Sequence, residues 1–421
     1  MPRRLLLLVS ALSYRSAAFC NAAKRLDVEV VQALDLPPEL AAYWHVELGV
    51  PFAEPDTAAA QLAEYAAAHP IDAIVPVDDA ATLLAAKTAE LLGLPYNSPE
   101  ASLAARDKYV MRTAFADAGV PSPEFRLVPL SGDPNLEAAR ASYPVVLKPT
   151  RLSGSRGVIR ADNPEEFVAA FQRIRRLVEP EGATHLLVER FIPGFEVALE
   201  GMLTDGRLRV LALFDKPDPL DGPFFEETIY VTPSRLSPTV QQEIAGCAAQ
   251  AAAAVGIRQG PLHAELRVNE QGPWMVELAG RSIGGLCSSI LEFGTDMSLE
   301  ELILRQALGM DVTDASRRDE AVGVMMIPIP AGGWLRGVEG VEEARAVPLV
   351  QDVSISAQVN HRIVPLPEGA SYLGFIFAKG PAPAEVEAAL RQAHSRLHFK
   401  IEPELPILPL GSVNQAIEPI A

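Results

Sequence analysis

Short apolar runs alternate with segments of helical periodicity over the first 118 residues of the chain. The apolar runs predict buried strands, and the segments of helical spacing predict amphipathic helices. Strands that alternate with helices indicate βαβ units, and hence a Rossmann-like domain with a parallel sheet. The predicted strands are Leu5–Val9, Val28–Val31 and Ala73–Pro76, and the predicted helices are Ser16–Arg25, Ala58–His69, Ala80–Leu92 and Ser102–Ala118.

The N-terminal segment has two interpretations. Pro2–Leu12 places two arginines before a short apolar run, as a signal peptide does. The alternative is the first strand of the α/β domain. We favour the strand, because another strand pattern follows at Val28–Ala33 and because Phe19 before Cys20 is a poor lipoprotein cleavage context. No stretch reaches the roughly 18 apolar residues that a membrane span needs, so we expect no membrane partner.

The pattern changes after Gly119, where Pro121 stops the preceding helix. Strand patterns then dominate to about residue 312, and a separate α+β unit is predicted from about 320 onward. We therefore predict four domains, 1–118, 119–205, 206–315 and 316–421. The predicted strands are Val145–Lys148, Leu186–Glu189, Val197–Leu203, Leu208–Phe214, Val322–Ile329, Val353–Val359 and Leu373–Ala378, and the predicted helices are Pro164–Leu177, Pro238–Val255, Leu299–Leu308 and Pro383–Leu397.

A β-hairpin is predicted within Leu262–Gly285. Apolar and polar positions alternate on both sides of a turn at Asn269–Pro273, which is the hairpin signal. The alternation predicts Val276 on the apolar face, and Met275 on the polar face together with Glu277 and Arg281.

The same hairpin predicts a pair of carboxylates, because a turn centred near Gln271 places Glu265 opposite Glu277. Like charges opposite each other in an antiparallel pair are destabilising. A cation between them would make the pair a site, and Mg²⁺ prefers carboxylate and phosphate oxygens. A solvated strand face with an incidental glutamate pair is the alternative for this hairpin taken alone.

Composition limits the classes of function. The 421 residues are too many for one compact core, and 49% hydrophobic with 21% charged residues is typical of a soluble globular protein. A net charge of −18 argues against a nucleic-acid partner but not against a nucleotide ligand. Cys20, Cys247 and Cys287 form no disulfide or metal-binding pattern, which favours a reducing, cytoplasmic location.

Lys148 ends a predicted strand directly before a loop with the sequence Ser153-Gly-Ser-Arg-Gly157. Small residues let backbone N–H groups approach phosphate oxygens, and a lysine supplies a mobile positive charge. The lysine precedes the loop, so this is not the P-loop pattern, and no dinucleotide-binding glycine motif follows the first strand. A surface turn would have a similar sequence.

Glu189–Glu196 is a strand end followed by an apolar linker with Pro193 and Gly194. Such a hinge presents backbone groups to an adenine and a carboxylate to ribose hydroxyls. A hairpin loop with surface acids is the alternative.

Together these segments resemble the ATP-grasp superfamily, and specifically carboxylate–amine ligases related to bacterial L-amino acid (dipeptide) ligases. The resemblance covers about residues 1–312 in order. It implies a Rossmann-like N-terminal domain, two α+β subdomains that sandwich ATP, and a C-terminal accessory α+β domain. The segments that carry it are Asn97–Glu100, Arg106–Lys108, Lys148 with its loop, Glu189–Glu196, His263–Glu265 and Glu277–Gly285.

The resemblance also implies a role for each matched position. Lys108 and Lys148 would bind the ATP phosphates under a loop that contains Ser153, Gly154, Ser155 and Gly157, and the hinge residues Glu189, Arg190, Phe191 and Ile192 would contact the adenine. Glu196 would bind the ribose, and Glu265 and Glu277 would bind Mg²⁺ or Mn²⁺. Arg281 would neutralise charge at the acyl phosphate.

Two positions depart from the superfamily pattern. Ala279 stands where many members have a metal-binding asparagine, and dipeptide ligases can have alanine there. Tyr230, with Glu227 nearby, stands where relatives often have a substrate-side histidine, so both become catalytic candidates. Asp215-Lys216 could line the same pocket or form a solvated pair, and His263 could support Glu265, although a core histidine is the favoured interpretation.

The resemblance implies an ATP-dependent carboxylate–amine ligase. Such an enzyme forms an acyl phosphate from a carboxylate substrate, displaces it with an amine, and releases ADP and phosphate. That reaction needs positioning and charge neutralisation more than a nucleophilic side chain. The alternatives are another ATP-grasp enzyme, such as a carboxylase or a purine-biosynthesis-type ligase, and a non-catalytic ATP sensor. A homodimer fits the resemblance, because dimers are common in such families.

Overall fold

The computed structural model of the protein describes residues 3–404 except 12, 14, 44, 45, 295, 314 and 370. The start of the Pro2–Leu12 segment and the last residues of the predicted 316–421 domain lie outside the described residues. The first elements are β1 (Arg4–Val9), α1 (Ser16–Arg25), β2 (Glu29–Asp35), α2 (Pro38–Tyr43), β3 (Leu48–Val50), α3 (Pro55–Ala68), β4 (Ala73–Pro76), α4 (Asp79–Leu92), α5 (Pro99–Arg106) and α6 (Lys108–Ala118).

The predicted parallel sheet is confirmed, with the strand order β3-β2-β1-β4. Leu5 and Leu7 of β1 pack on one face of this sheet, and Leu6 and Leu8 pack on the other. A strand covered on both faces is apolar throughout, which explains why this segment resembles a signal peptide. The carboxyl ends of the neighbouring strands β1 and β4 lie at one edge, where parallel sheets place ligand sites.

The single helix predicted over Ser102–Ala118 is wrong, because the structure has two helices there. Asp107 lies between them in an extended conformation, and its carboxylate accepts hydrogen bonds from the N–H groups of Tyr109 and Val110. An aspartate that caps new N–H groups starts a second helix. The break places Lys108 at the first position of α6.

A second, four-stranded sheet carries the loop that follows Lys148. Its strand order is β5-β8-β6-β7, and its pairs are antiparallel. Helix α8 covers it through Phe167, Phe171 and Ile174, in agreement with the helix predicted at Pro164–Leu177. The elements are β5 (Phe125–Pro129), α7 (Pro134–Ala139), β6 (Val145–Pro149), β7 (Ile159–Ala161), α8 (Pro164–Val178) and β8 (His185–Arg190).

An eight-stranded antiparallel sheet forms the largest layer. Helix α9, predicted at Pro238–Val255 and found there, packs against the hairpin strands through Cys247, Ala248 and Ala251. The sheet contains, in spatial order, β13 (Gly272–Ala279), β12 (Gly260–Asn269), β9 (Phe195–Thr204), β10 (Arg207–Lys216), β11 (Ile229–Thr232), β16 (Ala321–Ile327), β20 (Gly374–Gly380) and β18 (Val350–Ile355).

Two predicted domain boundaries fall between strands that pair with each other. Strand β9 pairs with β10 across residue 205, and β11 pairs with β16 across residue 315. The unit expected to be separate therefore shares a sheet with the hairpin, and the boundaries themselves stay predictions. The remaining elements are α9 (Pro238–Val255), β14 (Glu292–Phe293), β15 (Met297–Ser298), α10 (Leu299–Ala307), β17 (Gly333–Glu339), α11 (Val341–Arg345), β19 (Arg362–Ile363), α12 (Pro383–His394) and β21 (His398–Glu402).

The hairpin itself is confirmed as β12 and β13, and Glu265 lies directly opposite Glu277. The predicted faces are wrong at two positions, because an irregularity in the register follows Glu265 and leaves Leu266 opposite Met275. Met275 is therefore fully buried in the core, whereas Val276 lines a cavity. A one-residue bulge re-aims side chains, and period-two alternation does not reveal it.

Candidate active site

A cavity of about 440 Å³ lies where the parallel sheet, the four-stranded sheet and the eight-stranded sheet meet. It gathers almost every residue that the sequence singled out, although these residues are spread over the chain. The predicted residues that line it are Lys108, Lys148, Ser153, Gly154, Ser155, Glu189, Arg190, Phe191, Ile192, Glu196, Glu227, Tyr230, Glu265, Glu277 and Arg281.

Gly157 is not among the residues that line the cavity. Its φ of +74° is in the left-handed region, and a Cβ there would lie 2.7 Å from Cγ of Pro149. Its N–H donates to the carbonyl of Pro367 at 2.8 Å, so the C-terminal unit holds the end of the 153–157 loop. Gly157 therefore shapes the loop rather than facing the cavity.

A buried cluster of Arg112, Lys148 and Glu189, called here the cationic cluster, borders the cavity through Lys148 and Glu189. Glu189 Oε2 lies 2.7 Å from Lys148 Nζ, and Glu189 Oε1 lies 2.8 Å from Arg112 Nε. Burial lowers the pKa of Lys148 to about 8, against the opposing effect of Glu189. Two cations around one carboxylate give the cluster a net positive charge, which favours binding of an anion such as a phosphate.

Sequence reasoning missed Arg112, because an arginine inside a helical pattern is ordinarily a surface residue. It is fully buried instead. Burial would raise the pKa of Glu189, but the charges of Arg112 and Lys148 outweigh it and lower that pKa. Both oxygens of Glu189 are engaged with cations, so its carboxylate contacts Arg112 and Lys148.

Lys108 connects the loop to the hairpin. Its Nζ lies 3.1 Å from Glu277 Oε1 and donates to the carbonyl of Leu152 at 2.7 Å. The capping by Asp107 places Lys108 here, so local sequence sets a contact between distant segments.

A second buried group, called here the acidic cluster, contains Lys216, Glu196, Glu227 and Glu265. Lys216 Nζ lies 2.9 Å from Glu196 Oε1, 2.6 Å from Glu227 Oε1 and 3.2 Å from Glu265 Oε1. Oxygens of the three carboxyl groups lie within 4.8 Å of one another. Carboxyl groups outnumber the cation, and an all-oxygen donor set fits a divalent cation such as Mg²⁺.

Glu227 and Glu265 of the acidic cluster have pKa values shifted in opposite directions. Burial raises the pKa of Glu227 to about 7, helped by repulsion from Glu265 and opposed by Lys216. Burial would also raise the pKa of Glu265, but Lys216 and His263 hold it well below its usual value. One member is therefore ionised and another is poised near neutrality, a difference typical of functional carboxyl groups.

The two glutamates of the predicted metal pair have different partners in the structure. Glu265 and Glu277 are opposite in register, yet Glu277 contacts Lys108 while Glu265 joins Glu196 and Glu227. The solvated-pair interpretation of Asp215-Lys216 is wrong, because both residues are buried. Neither residue is among those that line the cavity, and Lys216 reaches it only through its ion pairs with Glu227 and Glu265. Its strand pattern gave no sign that three glutamates would surround it, because these come from three different segments.

His263 is buried, as expected of a core histidine, but it also contacts Glu265. Its Nδ1 lies 2.6 Å from Glu200 Oε1, and its Nε2 lies 3.3 Å from Glu265 Oε1. Burial opposes protonation, yet the two carboxylates raise its pKa to about 9. His263 therefore supports Glu265, and Glu200, which the sequence did not single out, fixes the histidine.

Arg281 lies beyond the end of β13 and not on the hairpin face where it was predicted. Its guanidinium is 2.7 Å from Asp79 Oδ2 at the start of α4, and this carboxylate raises its pKa despite burial. Arg15 donates to Ser282 Oγ at 2.5 Å. The parallel-sheet domain therefore positions the segment that follows the hairpin, a contribution that the sequence did not predict.

Arg267 was also missed, because it appeared only as one polar position of an alternating strand. Its Nε lies 2.9 Å from Glu196 Oε2, and its NH1 donates to the carbonyl of Ile192 at 2.9 Å. Its guanidinium is also 4.9 Å from the ring centroid of Phe191. Arg267 thus ties the Glu189–Glu196 hinge to the hairpin.

Comparisons with known proteins agree with this architecture. Family models match residues 20–96 (ATP-grasp N-terminal domain), 141–290 (ATP-grasp domain) and 325–402 (L-amino acid ligase C-terminal domain 2). An L-amino acid ligase from Bacillus licheniformis has a similar structure, with a TM-score of 0.82 and 26% identity, covering 95% of this chain and 99% of that one. Phosphoribosylglycinamide synthetase from Anaerococcus prevotii, at 16% identity and a TM-score of 0.67, shares the fold, covering 96% of this chain and 100% of that one.

Curated relatives match over shorter spans. An alanine–anticapsin ligase from Bacillus subtilis is 28% identical over 260 residues, which is 56% of this chain and 54% of the relative. A D-alanine–D-alanine ligase from Cupriavidus necator is 28% identical over 198 residues, 45% of this chain and 59% of the relative. The chain therefore spans little more than half the length of these relatives.

No helix in the described part of the chain is long and apolar enough to cross a membrane. The fold and the three matched family models together identify the chain as a member of the ATP-grasp superfamily, similar to the bacterial L-amino acid ligases.

Proposed function

We propose that the protein is an ATP-dependent carboxylate–amine ligase that forms an amide bond between small molecules and releases ADP and phosphate. One observation carries this proposal, namely that the cationic cluster and the acidic cluster face the same cavity. A nucleoside triphosphate with a divalent cation has the complementary arrangement of charges.

Nucleotide binding is assigned to the cationic side of the cavity. Lys148 and Lys108 are the phosphate-binding groups, and Ser153, Gly154 and Ser155 line the cavity beside them. The hinge from Glu189 to Ile192 lines the same side with a backbone that Arg267 fixes, which suits an adenine. Glu196, held between Lys216 and Arg267, is proposed to accept from the ribose hydroxyls.

Glu265 and Glu277, together with Glu227 from the acidic cluster, would hold Mg²⁺ or Mn²⁺. When bound, such a cation offsets the negative charge of phosphate oxygens. Lys216 holds the glutamates of the acidic cluster, and His263 with Glu200 sets the orientation of Glu265. These residues pre-organise the carboxylate oxygens before any ligand enters.

The chemistry itself needs no side-chain nucleophile. A carboxylate oxygen of the donor attacks the γ-phosphorus and ADP leaves, and an amine then attacks the carbonyl carbon and expels phosphate. Arg281 is proposed to neutralise the charge that develops on the transferred group. Burial raises the pKa of the Cys287 thiol, which leaves this cavity residue protonated and unreactive at neutral pH.

The proposal is tested by phosphate release from ATP across a matrix of amino acids and amines, with product masses and with ADP and AMP separated. We expect release that requires a carboxylate and an amine together, with ADP and an amide as products. Release with bicarbonate instead would favour the carboxylase alternative. Nucleotide binding without release from any pair would favour the sensor, and AMP formation would contradict the proposed reaction.

A further inference from the structure

The cavity has an apolar wall made of Ile283, Cys287 and Met326. Each is at most 3% exposed, and each lines the cavity. Met326 and Cys287 converge at Gly285, where a Cβ would lie 3.3 Å from Met326 Sδ and 3.4 Å from Cys287 Sγ. Ile283 belongs to the same apolar core, so side chains from two distant segments form the wall.

The apolar wall adjoins the proposed reaction centre. Ile283 and Cys287 follow Arg281 within the same short segment, and the N–H of Met326 donates to the carbonyl of Thr228 at 2.7 Å, directly after Glu227. Glu227 and Cys287 both line the cavity, so this carboxyl group and the wall border the same space. A substrate held at the reaction centre would thus place its neighbouring side chain against this wall.

The three side chains of the wall carry no charge that could pair with a charged substrate side chain. Two arginines that line the same cavity have partners within the protein, Arg15 the carbonyl of Val77 and Arg281 the carboxylate of Asp79. Isoleucine and methionine are apolar, and the Cys287 thiol stays protonated because its pKa is raised. An unpaired charge buried against such a surface is strongly disfavoured, whereas each buried methylene is favourable. At Gly284 a Cβ would meet no atom within 4 Å, so the backbone there leaves room for a substrate side chain.

We propose that the apolar wall selects the carboxylate substrate, and that this substrate is an amino acid with an apolar side chain of the size of leucine, methionine or phenylalanine. This inference rests on the proposed function and deepens it. Because one methylene in an apolar pocket discriminates by about 10- to 200-fold, leucine and methionine should exceed alanine by about tenfold or more in kcat/KM. Aspartate and lysine should be much poorer donors still.

Strand β16 offers a matched pair of variants, because Met325 and Met326 are neighbours of similar burial on opposite faces. Met326 packs in the core that reaches the cavity, whereas Met325 packs in the core of the C-terminal unit. Met326→Ala should raise the kcat/KM of phenylalanine relative to leucine by about tenfold. Met325→Ala should lose comparable stability and leave that ratio unchanged.

The measurement is kcat/KM for each donor at a fixed amine, with tandem mass spectrometry assigning the N-terminal residue of each product. Apolar donors at the N-terminal position and a ratio altered only by Met326→Ala would support the inference. Active ligation with charged or smallest donors preferred would overturn it while leaving the proposed function intact. So would an apolar preference confined to the C-terminal residue, or equal effects of the two variants. If no pair gives an amide, the proposed function fails and this inference fails with it.

Discussion

The cationic cluster and the acidic cluster are both largely buried and held by ion pairs, and both border one cavity. Their net charges are nevertheless opposite in sign. Arg112 and Lys148 surround one carboxylate, whereas Glu196, Glu227 and Glu265 surround one ammonium. A buried ion pair alone is weak evidence of function, since its attraction is offset by desolvation. The sign of the net charge is more informative, because it indicates which charge a ligand of each cluster would carry. It supports the proposal that phosphate binds at the cationic cluster and a divalent cation at the acidic cluster.

The largest expected effect comes from the acidic cluster. Glu265→Gln should lower Mg²⁺-dependent turnover by about 1000-fold, because it removes an ionised oxygen ligand from the reaction centre. Glu270→Gln is the matched control, as Glu270 is exposed at the tip of the same hairpin. Full activity of Glu265→Gln under saturating Mg²⁺ would remove the acidic cluster from the mechanism.

Glu227→Gln tests whether burial of the Glu227 carboxyl group, next to that of Glu265, lowers the stability of the fold. The pKa of Glu227 is raised to about 7, so the folded protein keeps a proton that the unfolded chain loses near its ordinary value of 4.5. The contribution of Glu227 to the free energy of unfolding therefore falls as the pH rises from about 4.5 to 7. The free energy of unfolding of the variant should rise relative to that of wild type by up to about 3 kcal/mol over that interval.

Urea unfolding at closely spaced pH values measures this difference. Glu243→Gln, a substitution on the exposed face of α9, should show no such pH dependence relative to wild type. If the free energies of unfolding of Glu227→Gln and wild type differ by a constant amount from pH 4.5 to 7, Glu227 has an ordinary pKa and the assignment is contradicted.

Lys148→Ala addresses the cationic cluster. Removal of one charge-assisted contact should weaken ATP binding by about thirtyfold, or about 2 kcal/mol, since Arg112 still balances Glu189. Calorimetry with ATP gives the affinity, and Lys24→Ala on the exposed surface of α1 is the control. Unchanged ATP affinity, with turnover lost, would move Lys148 from nucleotide binding to another role.

The smallest effect is expected at Glu200, which contacts the acidic cluster only through His263. Glu200→Gln should weaken Mn²⁺ binding about tenfold, because His263 would no longer be fixed against Glu265. Paramagnetic titration of Mn²⁺ with ADP present measures it. An affinity equal to that of wild type would make Glu200 a structural residue only.

Much of the fold was accessible from the sequence, because it depends on local patterns. The helix at Pro238–Val255 and the strand at Ala73–Pro76 lie where periodicity predicts them. The break at Asp107 and the bulge after Glu265 were not predicted, since a cap and a bulge depend on a few atoms and leave the hydrophobic period almost intact.

The site was less predictable than the fold. Motif residues such as Lys148 and Glu277 were found because their types stand out near loops and turns. Arg112, Lys216 and Glu200 were not assigned, because each is an ordinary polar residue until distant strands surround it. Ion pairing over 77 residues, as between Arg112 and Glu189, leaves no mark in local periodicity.

The central claim is that a carboxylate substrate takes the γ-phosphate of ATP in this cavity before an amine displaces it. The most direct test uses an apolar amino acid labelled with ¹⁸O in its carboxylate, with an amine and ATP, followed by mass analysis of the phosphate. The account predicts one ¹⁸O atom in each released phosphate, because the oxygen that attacked phosphorus leaves with it. Unlabelled phosphate accompanied by amide formation, or label found in AMP, would contradict the account.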